Sequence, residues 1–319
     1  EVFLKRNLVS NVVAMNIQKI IYFAKSFVDF ILRLIGPLFV IAAASLILLV
    51  IYIFLSAVIP YHYPDGLLNS WTGFIQVIIS AYLSFNIGWN YILCIFTNPG
   101  YTDNTVTIKS DGEDFKESAP KRGEGFSRYC KACKKSKPPR THHCHICKKC
   151  VLRMDHHCPW VCNCVGFYNH RYFVLFMLYL WLGCAYVAIM SFLPFQSSSN
   201  FRVPWKGISS RGTIIFTFVI TVSVFMALGF MLAWHMYLVV SGQTTIEFYY
   251  NKYKQKLAAS RGEIWHNEFD LGAKRNFQLF FGSGKYWFSW LLPSLFAPAG
   301  DGITYITRTQ LFNEMGHVV

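Results

Sequence analysis

The chain has 319 residues, of which 54% are hydrophobic and 18% aromatic, whereas only 14% are charged. A soluble domain carries about 25% charged residues, so this composition argues against an ordinary soluble protein. The formal net charge of +14 is best explained by basic loops on the cytosolic side of a membrane protein. Attraction to anionic lipid or to a phosphorylated ligand is the second explanation. The charge fits nucleic acid binding least, because the basic residues lie beside apolar runs.

Residues 1–33 precede the first long apolar run and are predicted to be a cytosolic N-terminal segment. Within them, AMNIQKIIYFAKSF places apolar residues at helical spacing around Lys19 and Lys25. This pattern fits an amphipathic helix at the membrane interface, and it fits a poorly ordered leader equally well.

Four apolar runs are long enough to cross a bilayer, which takes roughly 20 helical residues. They cover approximately residues 34–59, 72–96, 172–195 and 214–240. Buried helices of a soluble core are the alternative, but runs this long and this poor in charge have little other use in water. We therefore predict an all-α polytopic membrane protein with four transmembrane helices, in two regions at 34–96 and 171–241.

The distribution of lysine and arginine predicts which loops are cytosolic. Of the 30 basic residues, none lies between spans one and two, and only Arg202, Lys206 and Arg211 lie at the connection between spans three and four. The others lie before span one, between spans two and three, or after span four. Cytosolic loops carry the excess of basic residues, so these three regions are predicted to be cytosolic.

The predicted cytosolic regions differ in composition. Residues 97–128 are polar and aperiodic, which is typical of a flexible linker. Residues 129–170 concentrate cysteine and histidine and lead directly into the third span. Residues 242–319 form a mixed tail, whose aromatic clusters NFQLFFG and KYWFSWLLP are expected to rest against the bilayer surface or the spans.

Eight of the ten cysteines lie between Cys130 and Cys164. Disulfides are disfavoured in the reducing cytosol, so metal binding or thiol chemistry is the better interpretation. Cys94 and Cys184 lie in spans and fit buried small residues, although Cys94, near a helix end, also fits an acylation site.

Three C-x2-C pairs, at 130/133, 144/147 and 147/150, favour zinc binding, and the second and third share Cys147. Such pairs bring two thiolates onto one tetrahedral ion, and metal would supply folding energy to a segment with few hydrophobic residues. A reduced thiol-rich loop without metal is the alternative. The stretch from Cys130 to Cys164 holds thirteen cysteines and histidines, so two closed sites of four ligands leave five residues for other chemistry.

The stretch RMDHHCPW, residues 153–160, contains both zinc ligands by type and the parts of a cysteine–histidine nucleophile. Pro159 pushes Cys158 toward an extended backbone, and alternate residues of an extended chain point the same way. His156 is thereby predicted beside Cys158, while His157 turns away and can hold metal. A nearby imidazole favours the nucleophilic thiolate, and Asp155 would orient that imidazole.

These features resemble the DHHC-type protein S-acyltransferases, the palmitoyltransferases of eukaryotic membranes. The resemblance covers the four spans, the cysteine-rich loop, the signature DHHC at 155–158, TTIE at 244–247, and the Asn-aromatic pair at 276–277. It is dense over residues 129–173 and loose in the N-terminal region and the tail.

The resemblance implies four helices enclosing a cavity for a fatty chain, with a small zinc-stabilised domain between helices two and three. It implies a two-step reaction in which long-chain acyl-CoA, preferably palmitoyl-CoA, acylates a cysteine, and a thiol of a membrane-proximal substrate protein then takes the acyl group. The implied catalytic residues are Cys158, His156 and Asp155. One structural Zn²⁺ would be held by Cys130, Cys133, His143 and Cys150, and a second by Cys144, Cys147, His157 and Cys164. His142 and His145 are left as solvated surface residues.

Further residues are predicted to support the site or contact acyl-CoA. Thr245 would support the signature aspartate, with a plain helix-end threonine as the alternative, and Asn276 would tie the tail to the spans. The predicted contacts with acyl-CoA are Trp160, Phe173, Phe176 and Gly183 at the acyl chain, and Lys137 and Arg140 at the CoA phosphates. Interfacial aromatics, helix packing at the glycine and a solvated basic face are the respective alternatives.

One position departs from the family pattern, because Cys162 stands where asparagine is common. This thiol would compete with Cys164 for zinc, become an off-pathway acylation site, or replace a polar side chain without further effect.

The alternative function is a membrane-anchored zinc scaffold without turnover. A metal transporter is disfavoured, because the spans lack the acidic and histidine ligands of such a path and His235 is alone in span four. The resemblance implies an integral membrane protein of endomembranes, in the ER or Golgi, with its active site facing the cytosol and no nucleic acid partner.

Overall fold

A computed structural model of the chain describes residues 2–102, 129–200, 209–282, 288–295 and 298–316. Four helices in these ranges are long and apolar enough to cross a membrane: Phe23–His62, Trp71–Phe96, His170–Ser199 and Arg211–Val240. Each contains one of the predicted spans. The prediction of a mostly helical protein with four candidate membrane helices and a cysteine-rich region between the second and third is therefore confirmed.

The helices follow one another in chain order. They are α1 (Val2–Ile53), α2 (Ile59–His62), α3 (Trp71–Phe96), α4 (His170–Ser199), α5 (Arg211–Val240), α6 (Thr245–Ala259), α7 (Ala273–Phe281) and α8 (Arg308–Gly316). A π-helical turn at Phe54–Val58 joins α1 to α2. The predicted linker falls mostly at residues 103–128, and the loop between spans three and four falls mostly at 201–208; both ranges lie outside the described residues.

Helix α1 runs from the N-terminal segment into the first span without a break. At 1.5 Å per residue, the 40 residues of this span measure about 60 Å, twice the thickness of a hydrocarbon core. Part of α1 must therefore lie outside the bilayer. Gly36 marks where the helix passes the cysteine-rich region, since a Cβ built there would lie 2.6 Å from Cys162 Sγ.

The cysteine-rich region consists of three antiparallel hairpins. They pair β1 (Tyr129–Cys130) with β2 (Lys135–Ser136), β3 (His142–Cys144) with β4 (Lys149–Val151), and β5 (His156–Cys158) with β6 (Asn163–Val165). Two-stranded hairpins of this size are not stable alone in water. They need metal or packing against the helices to hold their shape.

Two asparagines join the third hairpin to the membrane helices. The Asn163 amide donates to the carbonyls of Cys94, Ile95 and Thr97 at the end of α3. Asn169 donates to the carbonyl of Cys94 and to that of Cys164 in β6. The last carbonyls of a helix have no partner within it, so these side chains both satisfy α3 and fix the hairpin on it.

Candidate active site

The structure brings together each predicted set of four metal ligands. The ligand atoms of Cys130, Cys133, His143 and Cys150 lie within 4.8 Å of one another, as do those of Cys144, Cys147, His157 and Cys164. Three thiolates and one imidazole are a donor set that suits structural zinc. Both clusters are therefore fit to hold a metal ion.

Hairpin register explains why these particular residues meet. Opposite residues of β3 and β4 include the pair His143 and Cys150, and those of β5 and β6 include His157 and Cys164. Each cross-strand pair is completed by a C-x2-C turn from the preceding hairpin. The two clusters consequently link the three hairpins in series.

Cys158 and His156 occupy the same side of β5, whereas His157 points to the metal cluster. Cys158 has an extended backbone with φ −110° and ψ 112°, as the following proline predicts. Its sulfur lies close enough to the His156 ring to help raise the pKa of that imidazole, and the residue is 6% exposed. The geometry is that of a cysteine–histidine pair with a buried sulfur.

Asp155 holds the imidazole from the other end. Its Oδ2 lies 2.7 Å from His156 Nδ1. Thr245, the first residue of α6, donates its backbone N–H to Oδ1 at 2.8 Å and its hydroxyl to Oδ2 at 2.9 Å. The predicted supporting residue therefore lies in direct contact with the signature aspartate, and it fixes both carboxylate oxygens.

Electrostatics favour a charged histidine in this chain of contacts. Burial alone would lower the pKa of His156, but the hydrogen bond with Asp155 and the nearby sulfur of Cys158 raise it to about 9. Burial would likewise raise the pKa of Asp155, but the neighbouring His170 and the bond from His156 hold it well below its usual range. A charged imidazole is thereby held between the Asp155 carboxylate and the Cys158 sulfur.

An apolar cavity of about 670 Å³ opens beside Cys158. This volume is within the roughly 300–1,000 Å³ of ordinary ligand sites. Its walls come from all four membrane helices, and Cys158 is one of its lining residues. Trp160, Phe173, Phe176 and Gly183, the predicted contacts of an acyl chain, also line it.

Tyr91 of α3 was not predicted, yet it connects the nucleophile to the helices. Its hydroxyl donates to the Trp160 carbonyl at 2.8 Å and lies 3.3 Å from that of Val40 in α1. Its ring stacks on Phe176 with centroids 4.6 Å apart. The turn that follows Cys158 is thereby attached to two membrane helices at the cavity wall.

The sequence matches the DHHC palmitoyltransferase family over residues 123–252. It is 36% identical to ZDHHC-type palmitoyltransferase 4 of Dictyostelium discoideum, across 94% of this chain and 83% of that protein. The chain belongs to the DHHC palmitoyltransferase family. It is also 30% identical to the Danio rerio palmitoyltransferase ZDHHC16A, across 68% of this chain and 66% of that protein. For ZDHHC15 of Xenopus laevis the identity is 35%, across 58% of this chain and 52% of that protein. Membership supports protein S-acylation as the general activity.

Two further histidines surround the signature aspartate, and sequence reasoning assigned neither to the site. His170 Nε2 lies 4.0 Å from Asp155 Oδ1. The His235 ring centroid lies 5.8 Å from those of both His156 and His170. They come from the start of α4 and from α5, so no local spacing in the sequence could bring them together.

Arg140 forms a buried ion pair with Glu247. Its Nε and Nη2 donate to the Glu247 carboxylate at 2.6 Å each, and Nη2 also donates to the Gly242 carbonyl. Its side chain is 6% exposed and lies over the rings of Phe269 and Tyr305. This buried pairing does not support the predicted contact with CoA phosphates. Arg140 instead connects the cysteine-rich region to α6 and the tail. Lys137 is half-buried.

Asn276 connects the tail to the last span. Its amide donates to the Val240 carbonyl at the end of α5 and to Asp270, and its Oδ1 accepts from the N–H of Leu271. Gly242 lies against it, with a positive φ of 64°. A Cβ there would lie 2.5 Å from the Phe269 carbonyl oxygen, so this turn requires glycine.

The unpredicted neighbour of Cys162 is Gly36 of α1, on which its sulfur packs. Among the described residues it belongs to neither metal cluster, and it does not line the cavity. Its φ of 49° is in the left-handed region, where asparagine is favoured over most residues. His142 is half-buried, and burial lowers its pKa to about 4, so it is not the solvated residue that was expected; His145 is exposed.

Proposed function

We propose that the protein is a protein-cysteine S-palmitoyltransferase, which carries a long-chain acyl group from acyl-CoA to substrate cysteines through an acyl-enzyme on Cys158. The observation that carries this proposal is the position of Cys158, which pairs with His156 and also lines the apolar cavity. An acyl chain in the cavity would present its thioester carbonyl to the sulfur. Asp155, His156 and Cys158 are accordingly the proposed catalytic residues.

In the first step, the Cys158 thiolate attacks the thioester carbonyl carbon of acyl-CoA. The bond from that carbon to the CoA sulfur breaks, and the proton held on His156 passes to the departing CoA thiolate. In the second step, the thiol of a substrate protein gives its proton to His156 and attacks the acyl-enzyme, releasing Cys158 as the thiolate. Asp155 keeps Nδ1 of the imidazole in place, which leaves the other ring nitrogen for these transfers.

The two clusters of three cysteines and one histidine are proposed as closed structural zinc sites with the ligand sets given above. Bound zinc would supply folding energy to the hairpins. The cross-strand pairs would then hold β5 in register, so that Cys158 lines the cavity and His156 lies on the same side of the strand. Thr245 is proposed to position Asp155, and Asn276 to anchor the tail.

Substrate contacts follow from the surroundings of the cysteine. Trp160, Phe173, Phe176 and Gly183 are proposed to contact the acyl chain, and Lys137 to meet the CoA phosphates. Because basic residues favour the cytosolic side, the site is proposed to face the cytosol and to accept membrane-proximal cysteines of protein substrates. Residence in the ER or Golgi is proposed from the family resemblance alone.

The test is incubation of the purified full-length protein with labelled palmitoyl-CoA. The wild type should form a hydroxylamine-labile thioester, and Cys158→Ser should not. Cys162→Ser is the matched control, because this thiol lies four positions along and outside the cavity; it should acylate normally. Wild-type labelling in Cys158→Ser would exclude Cys158 as the nucleophile. A wild type that binds zinc and forms no thioester would favour the non-catalytic scaffold.

A further inference from the structure

Helix α6 carries an exposed face of two tyrosines and two lysines. Lys252 and Tyr253 follow Tyr249 by three and four positions, and Lys256 follows them by four and three, so all four lie on one side of the helix. The tyrosines are 67% and 54% exposed, and both lysines are exposed. Glu247, the one acidic residue in the helix sequence, is buried on another side. The face therefore carries positive charge only.

This face continues the surface of the last membrane helix. The Phe248 ring lies 4.7 Å from that of Trp234 and 6.1 Å from that of Tyr237, both in the last two turns of α5. Tryptophan and tyrosine at the end of a span mark the membrane–water interface. Lys252 Nζ lies 5.7 Å from the Phe248 ring centroid. The lysine side of α6 is thus at the level of the lipid headgroups.

We infer that the tyrosine–lysine face of α6 binds anionic lipid headgroups, and that this binding supports the catalytic group. Basic and aromatic side chains on one face are what an interfacial helix presents to an anionic surface. Each lysine near such a surface should shift the docking equilibrium roughly fivefold.

The link to the active site is the first turn of the same helix. Thr245 begins α6 and donates two hydrogen bonds to Asp155. Lipid that stabilises α6 would therefore hold the carboxylate that orients His156. This catalytic coupling rests on the proposed function, whereas the lipid contact itself does not.

The experiment uses the full-length protein in two nanodiscs, one of phosphatidylcholine and one of an equimolar mixture of phosphatidylcholine and phosphatidylserine. Hydrogen exchange of the α6 amides reports docking, and the rate of acyl-enzyme formation reports the coupling. The test variant is Lys252→Gln with Lys256→Gln. The control is Lys254→Gln on the same helix, because Lys254 Nζ is directed instead at the rings of Tyr250 and Trp265, 5.5 and 5.9 Å away.

For the wild type and the control, α6 should exchange at least fivefold more slowly in the anionic nanodisc, and acylation should be faster there. In the double variant, the anionic nanodisc should produce little of this slowing of α6 exchange and little of the increase in acylation rate. Equal α6 exchange of the wild type in the two nanodiscs, as expected if an acidic protein is the partner, would overturn the lipid contact. Slower exchange of the double variant in the anionic nanodisc, to the same extent as in the wild type, would overturn it as well. Slower exchange with an unchanged acylation rate would overturn the coupling alone. If no nanodisc supports acylation, the proposed function fails, while the exchange result still decides the lipid contact.

Discussion

Replacing Glu247 with alanine should release the start of α6 from the cysteine-rich region. The carboxylate accepts two 2.6 Å hydrogen bonds from Arg140 and one from the backbone N–H of Thr244 at 2.8 Å. The side chains of the ion pair are only 6% and 10% exposed. Removing one partner of such a pair costs about 3–5 kcal/mol, because the other charge is left buried and uncompensated. At about 1.4 kcal/mol per factor of ten, local opening should become at least roughly 100-fold more frequent.

Hydrogen exchange of the α6 amides measures this opening directly. Glu247→Ala and Arg140→Ala should each accelerate exchange by about the same large factor. Arg140→Met combined with Glu247→Leu should exchange much closer to the wild type, because apolar residues of similar size can replace a buried ion pair at little cost. Acyl-enzyme formation should follow the same order, since Thr245 must remain on Asp155.

The double variant separates the ion pair from a general loss of structure. Suppose that exchange in the double variant is accelerated by the product of the factors measured for the two single variants. The two residues would then act independently, and the reasoning from their pairing would be wrong. Wild-type exchange in Glu247→Ala would refute it as well, because the buried charge on Arg140 would then carry no penalty.

Three other changes test contacts around the nucleophile. Tyr91→Phe removes the part-buried hydrogen bond to the Trp160 carbonyl, a loss of roughly 0.5–1.5 kcal/mol, so kcat for acyl-enzyme formation should fall by up to about tenfold at constant KM. Tyr179→Phe removes another buried tyrosine hydroxyl and should leave kcat unchanged. Equal losses of kcat in the two variants would contradict a role of Tyr91 at the nucleophile. Burial opposes a high pKa at His156, yet the hydrogen bond with Asp155 and the nearby sulfur of Cys158 raise the value to about 9. The positive charge of His156, and the stabilisation that it provides, should therefore be fully present below about pH 6.5 and lost as pH rises through about 9. An acylation rate that stays level well above pH 9 would argue against a role for this charge. Gly36→Ala puts a methyl group 2.6 Å from Cys162 Sγ and should lower thermal stability by about 1–3 kcal/mol. Adding Cys162→Ala should restore it, and a failed rescue would place the clash elsewhere.

The spans and the metal clusters could be predicted from the sequence because their signals are local. Twenty or more uncharged residues have few uses outside a membrane, and tight cysteine pairs constrain where two thiolates lie. The alternation along RMDHHCPW was also sufficient to separate the directions of His156 and His157. The ligand sets themselves needed the family resemblance, since thirteen candidates allow many combinations.

The supporting contacts could not be predicted in the same way, because they join elements far apart in the chain. Tyr91, His170 and His235 come from three different membrane helices, where aromatic and histidine side chains usually signify packing. The ion pair of Arg140 is another contact of this kind. A basic residue in a basic run suggests a solvated or phosphate-binding group, and only the folded position of α6 reveals its carboxylate partner.

The third hairpin shows how one short strand serves two tasks. The register of β5 against β6 places His157 opposite Cys164 in a metal cluster, while His156 and Cys158 point to the other side. A shift of the strand by one residue would reverse these directions and remove the nucleophile and a metal ligand together. Asn163, opposite Cys158, is bonded to three carbonyls at the end of α3. The contacts of Asn163 with α3 therefore favour the same strand register that places His157 in the metal cluster. That register also directs Cys158 toward the cavity.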